Sequence, residues 1–256
     1  MRFAASLPPP EPGEALRRYY TALYQRFGAQ RWWPARTRLE IILGAILTQN
    51  TAWRNAALAM KQLRNEGLLN LQGLETVSGL ELESFIRPAG FYRQKAATIR
   101  NFFDWLRRAY GGSLRAFLAR PPDEVRRELL NVKGIGPETA DAILLYAGRL
   151  PYFVADAYTR RVLERHALIT PGTSYADTQD FLHRHLPREQ GLFNEFHALL
   201  VEVGKRHCRR ETPRCEDCPL QELLPPQPTD PKAGRAPVVP AFHGRKAQPE
   251  SRRISV

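Results

Sequence analysis

The stretch from Asn131 to Arg161 reads N-V-K-G-I-G-P-E-T-A-D-A-I-L-L-Y-A-G-R-L-P-Y-F-V-A-D-A-Y-T-R-R. Two glycines, Gly134 and Gly136, stand one residue apart between helical patterns. Upstream, Val125, Leu129 and Leu130 fall at helical spacing behind Pro121 and Pro122. Downstream, Pro137 occupies a position that a first helical turn tolerates, and Ala140, Ile143, Leu144 and Ala147 form the next apolar stripe. The pattern predicts helix, tight hairpin, helix; the bland alternative is an ordinary helix-loop-helix. Glycines allow positive φ and close approach of another chain to the backbone. The N–H groups of such a turn, at a helix N-terminus, form a ready site for a phosphate. Lys133, Gly134, Ile135 and Gly136 are therefore the candidate phosphate contacts. Further on, Asp156 stands alone among small and apolar neighbours, where it can also cap a helix from Ala157 onward, worth ~1 kcal/mol.

The bulk properties point the same way. At 256 residues the chain suits one large domain or two small lobes with ample core, and 43% hydrophobic content is ordinary for a globular protein. A net charge of +12 is not ordinary. It favours a polyanionic partner whose binding weakens as salt rises, with mere solubility as the alternative. No apolar run approaches the ~20 residues of a membrane helix, and the N-terminus lacks the apolar core of a signal peptide. The expectation is a soluble, monomeric, cytoplasmic protein. All three cysteines lie within eleven residues, which suits a metal site better than a disulfide framework.

Taken in order, residues 1 to 12 are Pro-rich and read as loose. A helical stripe runs from Glu14 to Phe27, and Arg31-Trp32-Trp33-Pro34 forms an aromatic loop. Thr37 is placed to cap a buried helix ending at T-Q-N-T-A-W, Thr48 to Trp53, and another helix covers about Ala52 to Asn65. Two helices between Gly79 and Tyr110 are broken at R-P-A-G-F-Y, residues 87 to 92, where Phe91 and Tyr92 read as packing residues. Thr173 to Leu186 and Glu189 to Arg206 complete the helices. No run alternates with period two between turns, so the fold class is all-α. From residue 225 to 256 the composition becomes Pro-rich and basic, the pattern of a disordered tail that brushes DNA nonspecifically.

V-K-G-I-G-P-E-T-A followed by V-A-D-A-Y-T-R-R-V resembles the helix-hairpin-helix and Gly/Pro…Asp signature of the endonuclease III superfamily of DNA glycosylases. The resemblance covers roughly residues 30 to 220. It implies two helical lobes with a DNA cleft between them: one from about 30 to 149, the other combining the N-terminal helix with 150 to 224. It places Asp156 at the catalytic aspartate, with Arg161 also in keeping, and double-stranded damaged DNA as the partner. W-W-P…L-T-Q-N-T with R-P-A-G-F-Y-R-Q-K looks like the 3-methyladenine glycosylase branch. Trp32, Trp33 and Trp53 then line the cleft, and Gln49 probes the gap left by a flipped base.

Such enzymes cut the base–sugar bond through an oxocarbenium-like state, which a nearby carboxylate stabilises while it orients water. The nucleotide must first be flipped out of the duplex, at a few kcal/mol. Aromatic faces can sandwich the extruded base, and electron-poor alkylated purines gain a cation–π component; the bland alternative makes each tryptophan a core residue. Bifunctional members place an amine nucleophile two residues after the second hairpin glycine. Here that residue is Glu138, eighteen before Asp156, and a carboxylate forms no Schiff base. Glu138 is otherwise a solvated first-turn acid favoured by the helix dipole. Base excision with weak or no lyase activity, on an alkylated purine, is the resulting expectation. The rivals are an oxidised-pyrimidine glycosylase with lyase activity and a non-catalytic DNA-binding module.

Cys208, Cys215 and Cys218 match the first three ligands of the family's iron–sulfur loop, whose fourth position here is Leu224. A [4Fe–4S] cluster ordinarily takes four thiolates. Three readings stay open: a cluster with His207, Glu222 or solvent as fourth ligand, a Cys3His zinc site, and an empty loop.

Overall fold

The computed structural model describes residues 11–225, and every regular element in that range is helical. The expected tail from 225 onward lies outside the described residues but for its first. Helix α1 (Pro12–Phe27) begins within the stretch expected to be loose: Pro12 needs no N–H partner in the first turn, and Ala15, Leu16, Tyr19 and Leu23 supply the buried face. Helix α2 (Arg38–Leu47) is capped by Thr37, whose hydroxyl accepts the Glu40 N–H. Eight of its ten residues are buried, as its all-round apolar pattern predicts.

Helices α3 (Trp53–Asn65), α4 (Leu71–Thr76) and α5 (Gly79–Ile86) follow, the last opened by a capping box between Ser78 and Glu81. A 3-10 turn at Arg87–Ala89 leads to α6 (Tyr92–Tyr110). Phe91, expected to pack, is instead 63% exposed and left-handed, with φ 47°. Gly90 and Phe91 both take positive φ to turn the chain into α6, and that turn leaves the ring in solvent. Helices α7 (Leu114–Leu118) and α8 (Pro122–Leu130) run into the hairpin. Beyond it, α9 (Pro137–Ala142) continues as one π-helical segment, Ile143–Gly148, ending at left-handed Arg149. The remaining helices are α10 (Ala157–Arg165), α11 (Tyr175–His185) and α12 (Gln190–Arg206).

Two apolar cores form among the described residues. One is built from α2 to α9, between Leu39 and Tyr152; the other joins α1 to residues between Leu145 and Leu220. The π segment serves both: Ile143, Leu144 and Ala147 enter the first, Leu145 and Tyr146 the second. A buried polar cluster stitches α8, α9 and α11 together. The Asp141 carboxylate accepts from Arg126 Nε at 2.7 Å, the Tyr175 hydroxyl at 2.9 Å and Gln179 Nε2 at 2.8 Å. Gln179 also donates to the Phe153 carbonyl, and the Phe153 N–H donates to His183 Nε2 at 3.0 Å. These bonds hold the extended segment that delivers Asp156.

Candidate active site

The hairpin closes as its glycines require, though only one needs the left-handed region. Gly134 sits at φ 99°, and a Cβ there would lie 2.0 Å from Thr98 Oγ1 on α6. Gly136 is extended, and a Cβ on it would meet nothing within 4 Å; its bareness leaves the α9 N-terminus open rather than shaping the turn. Asn101 Nδ2 braces the loop from α6 by donating to the Lys133 carbonyl at 3.0 Å. Lys133, Gly134 and Gly136 are exposed, while the Ile135 side chain between them is buried and anchors the turn.

A cleft of about 200 Å³ opens beside the hairpin helix and collects Trp32, Trp33, Gln49, Trp53, Glu138 and Asp156, all anticipated from the sequence. It also collects Tyr146, Tyr158, His197 and Lys205, which were not. Asp156 is the N-cap of α10, accepting the Thr159 N–H at 2.8 Å, so the capping role and a place in the cleft coexist. Its side chain is 14% exposed. Burial opposes its ionisation, but the attraction of His197 and the Thr159 N–H outweigh burial and hold its pKa below the usual carboxylate value. His197 Nε2 lies 3.5 Å from Asp156 Oδ2, at the outer edge of hydrogen-bond reach. On its other side His197 Nδ1 meets the Tyr146 hydroxyl. Burial and then the Asp156 charge push the Tyr146 phenol far up, so it keeps its proton and donates to Nδ1. That leaves the imidazole hydrogen on Nε2, facing Asp156.

Glu138 lies at the rim of the same cleft with its surface accessible. The cleft walls thin the water around it, and this partial desolvation, followed by the Asp156 charge, raises its pKa. Gln49 is folded onto the hairpin, its Nε2 donating to the Gly134 carbonyl at 3.0 Å and to Thr139 Oγ1 at 2.9 Å. Its neighbour Asn50 is exposed, at φ 48°. The three tryptophans touch each other: ring centroids are 4.7 Å apart for Trp32–Trp53 and 5.1 Å for Trp33–Trp53. Lys205 Nζ stands 5.6 Å from the Trp32 centroid. It comes from α12, far along the chain from the hairpin, and its only sequence signal is its place on the polar side of that helix.

The family model described as HhH-GPD superfamily base excision DNA repair protein matches residues 43–188. The chain belongs to the HhH-GPD superfamily. It is a DNA glycosylase of that family, 39% identical over 213 residues to a putative DNA repair glycosylase of Methanocaldococcus jannaschii, covering 82% of this chain and 96% of the relative. Endonuclease III of Thermotoga maritima is 30% identical over 181 residues, 71% of this chain and 79% of that one. Among solved structures, a trapped endonuclease III–DNA covalent intermediate superposes with TM-score 0.72 at 25% identity, covering 82% of this glycosylase and 94% of that chain. The 3-methyladenine DNA glycosylase of H. pylori, bound to 1,N6-ethenoadenine, gives 0.67 at 27% identity, covering 77% and 98%.

The cysteine loop of the glycosylase gathers three thiols, one short of a four-thiolate set. Cys208 is buried, Cys215 exposed and Cys218 half-buried; they line one small cavity with His166, His207 and Leu224. Among the described residues no three His, Cys, Asp or Glu side chains converge on a point that would hold a metal ion. At position 224 an aliphatic side chain offers no donor, so the residues present do not fit a four-thiolate cluster. What holds the loop is a pair of guanidiniums from α10. Arg161 donates to the carbonyls of Cys208 (2.7 Å) and Gly204 (3.2 Å), and Arg165 to those of Arg209 and Arg210 (2.5 and 2.8 Å).

Proposed function

We propose that this glycosylase hydrolyses the N-glycosidic bond of an alkylated purine flipped out of double-stranded DNA and leaves the strand intact. The carrying observation is that one cleft holds Asp156, an aromatic wall of three tryptophans, and Glu138 where bifunctional relatives present an amine. Exposed Lys133, Gly134 and Gly136 grip phosphate through backbone N–H groups and one ammonium, which positions the duplex without reading its sequence. Asp156, ionised at neutral pH, stabilises the positive charge that develops on the sugar and orients the attacking water. His197 is a positioning residue: its Nε2–H, set by Tyr146, steadies the carboxylate without touching the substrate. Phe91, an exposed aromatic on a left-handed turn, suits an apolar wedge against the opened base step. Gln49 can fill the vacated gap only by releasing its two hairpin hydrogen bonds.

The test is a panel of duplexes, each with one damaged base, scored for strand breaks before and after alkali. Breaks on an alkylated-purine duplex only after alkali, and no borohydride-trapped adduct, are expected. Lys205 is the lysine that lines the cleft among the described residues, so it favours a second reading, a glycosylase with lyase activity. A trapped adduct abolished by Lys205→Ala and retained in Lys133→Ala would establish that reading instead.

A further inference from the structure

Behind the aromatic wall of the cleft lies a second cavity of about 170 Å³, lined by Pro34, Gly44, Ala56, Ala57 and Met60 among others. Trp33 and Trp53 face both spaces. In front, the Trp32 and Trp53 rings touch at 4.7 Å between centroids. A base held between two rings needs two contact layers of about 3.5–4 Å each, so the faces must stand about 7–8 Å apart. As they stand, no base fits between them, and one ring has to yield.

The surroundings decide which. Trp32 packs against the second core and carries the Lys205 ammonium over its ring. Trp33 is wedged between Tyr146, at 5.2 Å between centroids, and α2, where a Cβ on Gly44 would lie 2.8 Å from Trp33 Cζ2. Trp53 shares the rear cavity with Trp33 but is not wedged as Trp33 is: it starts a helix at the edge of a loop, and small Ala56 and Ala57 and unbranched Met60 line the cavity there, with the Arg64–Glu40 ion pair at its far side.

We propose that the rear cavity is the recess into which Trp53 withdraws when a base enters, and that its depth sets the largest base the enzyme accepts. Specificity for base size then resides in Ala57 and Met60, residues on α3 that never touch the base. The proposal rests on reading the front cleft as the base pocket.

Two substitutions change the recess in opposite directions. Ala57→Leu fills it from a half-buried position, and Met60→Ala deepens it. Each full-length variant, checked for parental helix content, is titrated with free hypoxanthine (two fused rings) and free 1,N6-ethenoadenine (three), reading tryptophan quenching. Single-turnover excision from duplexes carrying the same two bases runs in parallel. Ala57→Leu should weaken ethenoadenine binding and excision at least tenfold and change hypoxanthine less than threefold, while Met60→Ala shifts the ratio toward ethenoadenine. If both variants keep the parent's ratio, the recess plays no part in selection and the proposal fails alone. If the parent protein shows no quenching by either base and excises neither, the base-pocket reading falls, and the proposal with it. Should Ala57→Leu not fold, the Met60→Ala ratio decides by itself.

Discussion

Asp156 caps α10 and, in the proposed reaction, also supplies the negative charge beside the sugar; a pair of substitutions separates the two. In Asp156→Asn the side-chain oxygen still accepts the Thr159 N–H, because Asn caps as well as Asp, so stability should hold. Asp156→Ala removes the acceptor and costs ~1 kcal/mol, a fall in Tm of about 2–4 °C for a chain of this size. Both lose the negative charge. A carboxylate about 4 Å from a developing unit charge, at an effective dielectric of about 20, contributes about 4 kcal/mol. At 1.36 kcal/mol per decade that is a drop of roughly a thousandfold in the chemical step. The assay is single-turnover base release from the damaged duplex, with thermal melts alongside. Equal, roughly thousandfold losses with a Tm deficit confined to Ala are expected. An Asp156→Asn enzyme within tenfold of the parent would sink the claim that this carboxylate stabilises the transition state. The pH profile extends the test, since Asp156 must be ionised and its pKa is held low. Removing the attraction of His197 raises that pKa, so His197→Phe should lose activity at higher pH than the parent as acid is added.

Other outcomes rest on single contacts. Gly134→Ala forces a Cβ onto Thr98 and should destabilise the protein by more than 1 kcal/mol in urea melts, whereas Gly136→Ala should melt like the parent and bind all duplexes more weakly. His183 is pushed down to about 4, first by burial and then by Arg188, and it accepts the Phe153 N–H as a neutral ring. Its unfolded counterpart takes up a proton near 6.5, so the unfolded state binds more protons between pH 6.5 and 4 and stability falls with acid across that window. At 1.36 kcal/mol per pKa unit the loss is on the order of 2–3 kcal/mol after allowance for the partly accessible ring, and His183→Gln should flatten it in pH-dependent melts. Phe91→Ala should leave Tm within about 2 °C, because the ring is in solvent, while slowing excision from fully paired duplexes more than from mismatched ones, which open more cheaply.

The helices were legible where period and punctuation agreed. Thr37 caps α2, Pro137 opens α9, and R-P-A-G breaks the chain before α6. The short helices α4 and α7, of six and five residues, are too brief for a period to register. The residues from Trp32 to Asp156 that the resemblance carried meet in one cleft because they lie on motifs. His197 and Lys205 share no motif with Asp156; tertiary packing of α12 on α10 brings them in, and no local spacing encodes that. Tyr146 comes from the π-helical segment, and only its pairing with His197 gives it a part in the site. Phe91 defies its pattern because apolar character normally means burial, and only the left-handed turn shows otherwise. The cysteine spacing resembles a ligand set, and the guanidiniums that brace the loop's backbone come from α10, which no spacing reveals.

The π-helical segment after α9 sets the phase between the hairpin and the carboxylate. A π turn holds one residue more than an α turn, so it inserts a step into the helix without lengthening a loop. Deleting one residue between Ile143 and Ala147 would restore α geometry and rotate the downstream chain by about 100°. The hairpin upstream would keep its place, but Tyr146 would swing away from His197. A one-residue length change, invisible to composition, would thus uncouple the two proposed halves of the reaction, leaving the hairpin that would hold phosphate while displacing the groups that steady the Asp156 carboxylate.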